Sequence, residues 1–326
     1  MRSLIEAFPT HILEALEIGR NAKLTKKTGI RNILATGLGG SGIGGKIAAQ
    51  IVGDTCSIPF ITNNEYSIPT WADENTLVIV SSYSGGTEET LEALKSALER
   101  KCQIVCVTSG GKVQEIAEAN KLDTIFIPGG NPPRSMLAYS LIQQLFILDF
   151  NGLWAGNFEK DLEGIVAQLT ESQDDINSNA LALAERFESR LPIIYAETRL
   201  EGVAVRWRQQ INENGKKLCW HGIIPEMNHN ELIGWETANN NLGVLILSDG
   251  LEYDRNAVRT EICRAIFAKK VDLIETIQAE GETRLARMFY LIHFGDWFSY
   301  HLAIVGSQDP VSIVNIDLLK SELAKL

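Results

Sequence analysis

Hydrophobic and polar residues alternate in blocks along the first 150 residues of the chain. Short apolar runs predict buried strands, because a strand covered on both faces needs no polar alternation. Between these runs, apolar residues three and four positions apart, such as Leu91, Leu94 and Leu98, predict helices that pack on a sheet. Strands that alternate with helices predict a parallel, doubly wound α/β sheet. The expected strands are 30–38, 58–64, 76–82, 103–109 and 123–129, and the expected helices are 45–52, 88–101, 113–120 and 135–150.

The second half of the chain repeats this alternation after a polar interval. Residues 151–191 are polar with helical spacing and predict a helical linker. Apolar runs at 191–196, 242–249 and 271–277 predict further strands, with helices between and after them. The two halves are therefore expected to share one α/β architecture.

Length and composition limit the class of protein. A chain of 326 residues is long enough for two domains, and we expect them at 1–150 and 151–326. The formal net charge of -11 disfavours nucleic acid as a partner, because binding to a phosphate backbone depends on Lys and Arg. Residues 1–19 predict one amphipathic helix, and no uninterrupted apolar run is long enough to predict a membrane span.

The cysteines favour a reducing compartment. There are five, an odd number without a CxxC pair, so neither a disulfide framework nor a zinc site is expected. No HxxxH or HExxH pattern offers another metal site. We therefore expect a cytoplasmic protein that needs neither a metal nor another cofactor.

A glycine-rich loop follows the first expected strand. Its sequence, GLGGSG at 37–42, fits the GxGxxG pattern that holds the pyrophosphate of a dinucleotide. A dinucleotide site also needs an acidic residue at the end of the second strand, and Glu65 matches that position poorly. The loop alone therefore leaves the bound phosphate open, and glycines that serve only to reverse the chain are a further alternative.

A second polar loop, SSYSGGTEET at 81–90, follows the third expected strand. It offers the hydroxyls of Ser81, Ser82, Ser84 and Thr87 beside a helix start, where N–H groups also bind anions. Strand ends of a parallel sheet lie side by side, so the two loops can converge on one phosphate monoester. The simpler alternative, that Thr87 only caps the helix, leaves the serines unexplained.

The two loops together resemble the sugar isomerase (SIS) domain. The motifs PPRSMLAYSL, NENGKK, IPEMNHNELIGWE and DPVSIVNIDLLK follow in an order similar to that of the bifunctional phosphoglucose/phosphomannose isomerases. The resemblance implies two tandem SIS domains. It also implies metal-independent interconversion of fructose 6-phosphate with glucose 6-phosphate and mannose 6-phosphate through a cis-enediol(ate). By position, it assigns the substrate phosphate to Gly40, Ser41, Ser82, Ser84 and Thr87.

The resemblance also implies four catalytic residues. Glu213 in NENGKK corresponds to the base, and His229 in NHNE corresponds to the group that opens the sugar ring. Arg134 corresponds to an arginine near the enediolate, and Lys320 corresponds to a C-terminal lysine that reaches the site. In the family the histidine crosses a dimer interface, so a homodimer that shares His229 is expected. From local sequence alone, a solvated glutamate or lysine, a structural histidine and a surface arginine remain alternatives.

The chain departs from the family pattern at a few positions. Val311 and Ser312 replace Thr and Pro in a stretch near the sugar, and Gly86 stands where the family has Asn. The replacement of threonine by Val311 removes a hydroxyl near the sugar, so it bears on activity toward both epimers.

Three other functions compete with the isomerase. A non-catalytic SIS regulator would need the phosphate loops but not Glu213 or His229, and a DNA-binding segment has little room in the 29 residues before the first strand. A nicotinamide enzyme is disfavoured by the second, hydroxyl-rich loop. Glutamine-dependent sugar amination needs a nucleophile that the starting sequence MRSL does not offer.

Overall fold

The computed structural model describes residues 1–154 and 156–325. Packing contacts divide the chain into two compact units, each described here by itself. The N-unit is Glu6–Thr170, and the C-unit is Met1–Ile5 together with Glu171–Leu326. Because this division follows contacts and not independent folding, the domain bounds 1–150 and 151–326 stay a prediction.

The N-terminal segment forms two helices where the sequence predicted one. Helix α1 spans Arg2–Glu6 and helix α2 spans Phe8–Arg20, with Ala7 between them. Pro9 lies in the first turn of α2, where a missing N–H costs nothing, whereas the same proline would break a continuous helix. The single helix predicted over 1–19 is therefore wrong.

The N-unit contains a five-stranded parallel sheet. Its strand order is β2-β1-β3-β4-β5, and every neighbouring pair is parallel. Since β2 lies on one side of β1 and β3 on the other, the loops after β1 and β3 flank the switch point where open α/β sheets bind ligands. The strands are β1 Asn32–Thr36, β2 Phe60–Asn63, β3 Thr76–Ser82, β4 Gln103–Thr108 and β5 Asp123–Phe126, and the helices after α2 are α3 Gly39–Val52, α4 Glu88–Glu99, α5 Gly111–Ala119, α6 Leu137–Phe150 and α7 Phe158–Glu171.

Helices cover both faces of this sheet, as the apolar strands predicted. Leu34 and Val78 pack in a cluster with the apolar faces of α4 and α5. Ala35, the next residue along β1, faces the other side, where a Cβ added to Gly45 of α3 would lie 2.9 Å from the Ala35 Cβ. Every residue of β3 is buried. The predicted doubly wound architecture is therefore confirmed.

The C-unit contains a second, four-stranded parallel sheet. Its order is β7-β6-β8-β9, again with every neighbouring pair parallel. The strands are β6 Leu191–Glu197, β7 Trp220–Ile224, β8 Leu242–Ser248 and β9 Ile274–Gln278, and the helices are α8 Gln173–Arg186, α9 Glu201–Glu213, α10 Glu231–Gly234, α11 Asp254–Phe267, α12 Arg284–Val305 and α13 Val314–Leu323.

Two features of the second half differ from the sequence-based expectation. Strand β7 was missed, because it is a short edge strand whose His221 and Gly222 interrupt the apolar pattern. The segment expected to be a linker forms packed helices: α8 buries Ile176, Ala180 and Leu183 and packs on α12. The predicted fold class, two α/β domains with parallel sheets flanked by helices, is confirmed.

Candidate active site

The loop after β1 is a tight turn into the start of α3. A Cβ on Gly37 would lie 2.5 Å from the Ser81 backbone oxygen, and a Cβ on Gly42 would lie 2.4 Å from the Gly37 oxygen, so both positions require glycine. Leu38 occupies the N-cap and makes no side-chain cap. No side chain of the described residues therefore caps the first N–H groups of α3. Uncapped N–H groups at a helix N-terminus favour the binding of an anion.

The loop after β3 presents three hydroxyls at the start of α4. Ser82 Oγ donates to Thr87 Oγ1 at 3.5 Å, and Ser84 Oγ accepts from the Gly86 N–H at 3.3 Å. Thr87 holds the N-cap position of α4, but its side chain makes no capping hydrogen bond. The hydroxyl protons of Ser84 and Thr87 are thus free to donate to a bound oxyanion. A threonine that only capped the helix would not explain these donors.

Hydrogen bonds and close packing connect the two loops to a third segment, 131–135. Ser41 Oγ accepts from the Tyr83 N–H at 2.9 Å, and Tyr83 Oη accepts from the Asn131 N–H at 3.0 Å. A Cβ on Gly40 would lie 2.8 Å from the Pro133 carbonyl, so glycine is needed where the first loop meets the third segment. The structure therefore brings the five predicted phosphate residues together in the N-unit.

Arg134 lies in this third segment, in a short 3₁₀ helix, Pro133–Ser135. Arg134 is only 3% exposed, and its backbone nitrogen would lie 3.0 Å from a Cβ on Gly40. Arg134 is thus a buried cationic residue whose backbone adjoins the first loop, in a protein whose net charge is -11. Arg134 therefore belongs to the same group as the phosphate loops.

Glu213 is the last residue of α9 in the C-unit and is half-buried. The chain then turns through Lys216, whose φ is +56°. Lys216 Nζ donates to the Glu213 backbone oxygen at 2.5 Å and to the Ser312 backbone oxygen at 2.6 Å. This lysine, which the sequence analysis missed, fixes the end of α9 against the stretch that contains Val311 and Ser312.

A buried polar ladder joins α9 to α12. Asp296 accepts from Arg206 Nη2 at 2.6 Å and from Gln210 Nε2 at 2.9 Å, and Asn214 Nδ2 donates to Ser299 Oγ at 3.0 Å. Arg206, Gln210 and Asn214 are four residues apart and so lie on one face of α9. Because the ladder ends beside Glu213, it fixes the rotation of the helix that carries this carboxylate.

His229 and Lys320 lie on two other elements of the C-unit. His229 ends the 3₁₀ helix Glu226–His229 after β7, and its side chain is exposed. Lys320 is exposed on α13, a helix with no buried residue. The structure therefore does not bring Glu213, His229 and Lys320 together on one loop.

Three other histidines, His11, His293 and His301, are buried. Burial lowers the pKa of His293 to about 3 and also lowers the pKa values of His11 and His301. These three rings are therefore held neutral near pH 7, which disfavours them as proton carriers. His229 keeps an exposed ring that a sugar can reach.

The described residues contain neither a candidate metal cluster nor a candidate membrane span. Among residues 1–154 and 156–325, no three His, Cys, Asp or Glu side chains are grouped so that they could hold a metal ion. No helix in the described part of the chain combines the length and apolar character needed to span a bilayer.

Family models match both halves of the chain. A model described as an SIS domain matches residues 28–150, and one described as the bacterial phospho-glucose isomerase C-terminal SIS domain matches residues 176–323. The bifunctional phosphoglucose/phosphomannose isomerase of Caldicellulosiruptor bescii is 38% identical, over 98% of this chain and 97% of the relative. The protein with the same description in Aquifex aeolicus is 32% identical, over 91% of this chain and 92% of the relative.

Solved structures extend the likeness to the fold. The C-terminal domain of glucosamine-fructose-6-phosphate aminotransferase from Francisella tularensis has a TM-score of 0.74 to this chain at 15% identity. The match covers 94% of this chain and 96% of that one. At this identity the comparison concerns architecture alone.

Proposed function

Since the chain belongs to the family of bifunctional phosphoglucose/phosphomannose isomerases, we propose that it interconverts fructose 6-phosphate with glucose 6-phosphate and mannose 6-phosphate through a cis-enediolate. The chain is thus an isomerase of hexose phosphates, and the proposal concerns its route and its residues. The observation that carries it is the convergence of two hydroxyl-bearing loops and a buried arginine at one switch point.

The phosphate is the part of the substrate that the N-unit recognises. Ser41, Ser84 and Thr87 donate hydrogen bonds to its oxygens, Ser82 supports Thr87 by donating to its hydroxyl, and the N–H groups after Leu38 add backbone donors. An anchored phosphate fixes the other end of the sugar, which converts binding energy into orientation at the reacting carbons. Arg134 stabilises the negative charge that develops on the enediolate oxygen, where a fixed cation is more effective than water.

The proton transfer belongs to Glu213. Its carboxylate takes the proton from C2 of the aldose and returns it to C1, and the reverse sequence regenerates the aldose. The half-buried position at the rigid end of α9 suits a base that must keep one orientation. His229 moves the ring proton between O5 and O1, and Lys320 assists the opening.

One base can serve both epimers. Glucose 6-phosphate and mannose 6-phosphate differ only at C2, and both give the same enediolate once rotation about C2–C3 presents either face to Glu213. The segment of Val311 and Ser312 adjoins this base through Lys216, so it is placed to influence the ratio of the two products.

A second copy of the chain is the proposed partner. His229 is exposed, and large apolar residues near it in sequence or on α13 are also exposed: Leu218 81%, Ile233 70%, Val314 70% and Leu319 60%. Exposed apolar residues of this size can be covered in an interface. We therefore propose a homodimer in which each copy donates His229 to its partner's site. All five cysteines are free thiols, which fits the proposed cytoplasmic location.

A coupled assay tests the proposed function. Purified protein is incubated with fructose 6-phosphate, and glucose 6-phosphate and mannose 6-phosphate are quantified separately, with and without EDTA. We expect both products to form, each at the same rate with EDTA as without it. If neither product formed, the proposed activity would be refuted. Loss of turnover in EDTA would refute the metal-independent route.

A further inference from the structure

The turn that carries His229 is fixed on both sides of the histidine. On one side, Met227 is 2% exposed and packs in the apolar core with Tyr195 and Trp235. On the other side, Asn230 Oδ1 accepts from the Glu231 N–H at 2.6 Å, while Asn230 Nδ2 donates to Glu226 Oε1 at 3.0 Å. The exposed His229 imidazole therefore extends from a backbone whose conformation is fixed by these contacts.

The Glu231 side chain provides the longest-range anchor of this turn. Its Oε1 accepts from Tyr195 Oη at 2.6 Å and from Trp220 Nε1 at 3.1 Å. Tyr195 is fully buried on the central strand β6, and its hydroxyl accepts from Trp235 Nε1 at 2.9 Å. Because the indole occupies the acceptor side of this hydroxyl, the phenol proton is directed to Glu231.

The neighbouring strand leaves space for this carboxylate. A Cβ on Gly222 of β7 would lie 2.8 Å from Glu231 Oε2 and 2.6 Å from a ring carbon of Tyr195. A side chain at that position would displace the carboxylate. Burial, and then the Glu231 carboxylate, raise the pKa of Tyr195, so the hydroxyl remains a donor at every working pH.

We propose that Glu231 is a positioning residue for His229: by joining β6 and β7 to the turn, it holds the imidazole where it opens the sugar ring. The inference rests on the proposed role of His229. In this proposal Glu231 transfers no proton, and its Oε1 serves as the acceptor for two fixed donors.

A double-mutant cycle on kcat tests this inference. The variants are H229A, E231A and H229A/E231A, with fructose 6-phosphate as substrate. We expect E231A to lower kcat roughly 10- to 100-fold with little change in KM, and the double variant to match H229A, because a residue that acts through His229 has nothing left to position. E231Q, which keeps an acceptor, should recover most of the rate.

Controls separate positioning from general destabilisation. E236A removes an exposed carboxylate from the same region and should leave kcat unchanged. Y195F keeps the ring but removes the hydroxyl that donates to Glu231 and accepts from Trp235, and it should lower kcat as E231A does, even if E231A folds poorly. If H229A turns over normally, the proposed role of His229 fails and this inference fails with it. If H229A is impaired but E231A is not, or if the two losses multiply, only the positioning role is overturned.

Discussion

The two parallel sheets share a strand order but differ in what their loops carry. In β2-β1-β3-β4-β5 and β7-β6-β8-β9, strands β6 and β8 take the places of β1 and β3. The loops after β1 and β3 contain glycines, serines and a threonine, whereas β6 ends at Glu197 and Asp249 follows β8. The same switch point therefore carries the proposed phosphate loops in one sheet and acidic residues in the other.

The helix starts show the physical form of this difference. Glu197 is 8% exposed, and its Oε1 accepts from the Tyr253 N–H at 3.1 Å and from Asn256 Nδ2 at 2.7 Å at the start of α11. At the corresponding start of α4, the Thr87 side chain makes no capping bond. A carboxylate of the chain thus occupies in the C-unit the position that a substrate phosphate is proposed to occupy in the N-unit.

This contrast shows that a shared topology creates equivalent positions and that side chains decide their use. In the C-unit, Glu197 caps α11, and Glu213 is the proposed base. The N-unit keeps open donors for binding. Substitutions in the C-unit should therefore change turnover or stability, and substitutions in the N-unit loops should change substrate affinity.

The largest effect is expected at the proposed base. E213Q keeps the size of the side chain but removes its basicity, so kcat should fall about 10³-fold while KM changes little. Initial rates across a range of fructose 6-phosphate concentrations measure both constants. E185Q, at an exposed glutamate of α8, is the matched control. A kcat within tenfold of the parent would remove Glu213 from the mechanism.

A smaller effect on stability is expected at the carboxylate that caps α11. E197A leaves the Tyr253 N–H and the Asn256 amide without their acceptor, so the free energy of unfolding should fall by about 2 kcal/mol. Urea titration followed by tryptophan fluorescence measures it, because Trp207, Trp220, Trp235 and Trp297 lie in this unit. E261A, on the exposed side of α11, should change stability little. If E197A instead raised KM, the assignment of binding to the N-unit alone would be wrong.

The smallest effect is expected at the phosphate loop. T87A removes one neutral donor from the proposed phosphate site, so KM should rise about 10-fold with kcat and stability nearly unchanged. S248A removes the hydroxyl at the end of β8, the equivalent strand of the C-unit, and should leave KM at the parent value. Equal effects of the two substitutions would contradict the contrast between the sheets.

The parts of the structure that the sequence predicted are those with local signals. Apolar runs located eight of the nine strands in the described residues, because a strand buried on both faces has a distinctive composition. Strand β7 escaped because an edge strand is only half covered, and the break at Ala7 was missed although Pro9 stood beside it.

The amino-acid sequence by itself determined the two α/β domains, the two loops proposed to bind phosphate, and the family. These depend on periodicity and on contiguous motifs. Only the tertiary structure decided that Lys216 meets Ser312, that Glu197 caps α11 and that Glu231 meets Tyr195. These contacts join residues 96, 56 and 36 positions apart. Such pairs form because folding brings distant segments of the chain together, and no local pattern records which polar side chains will meet.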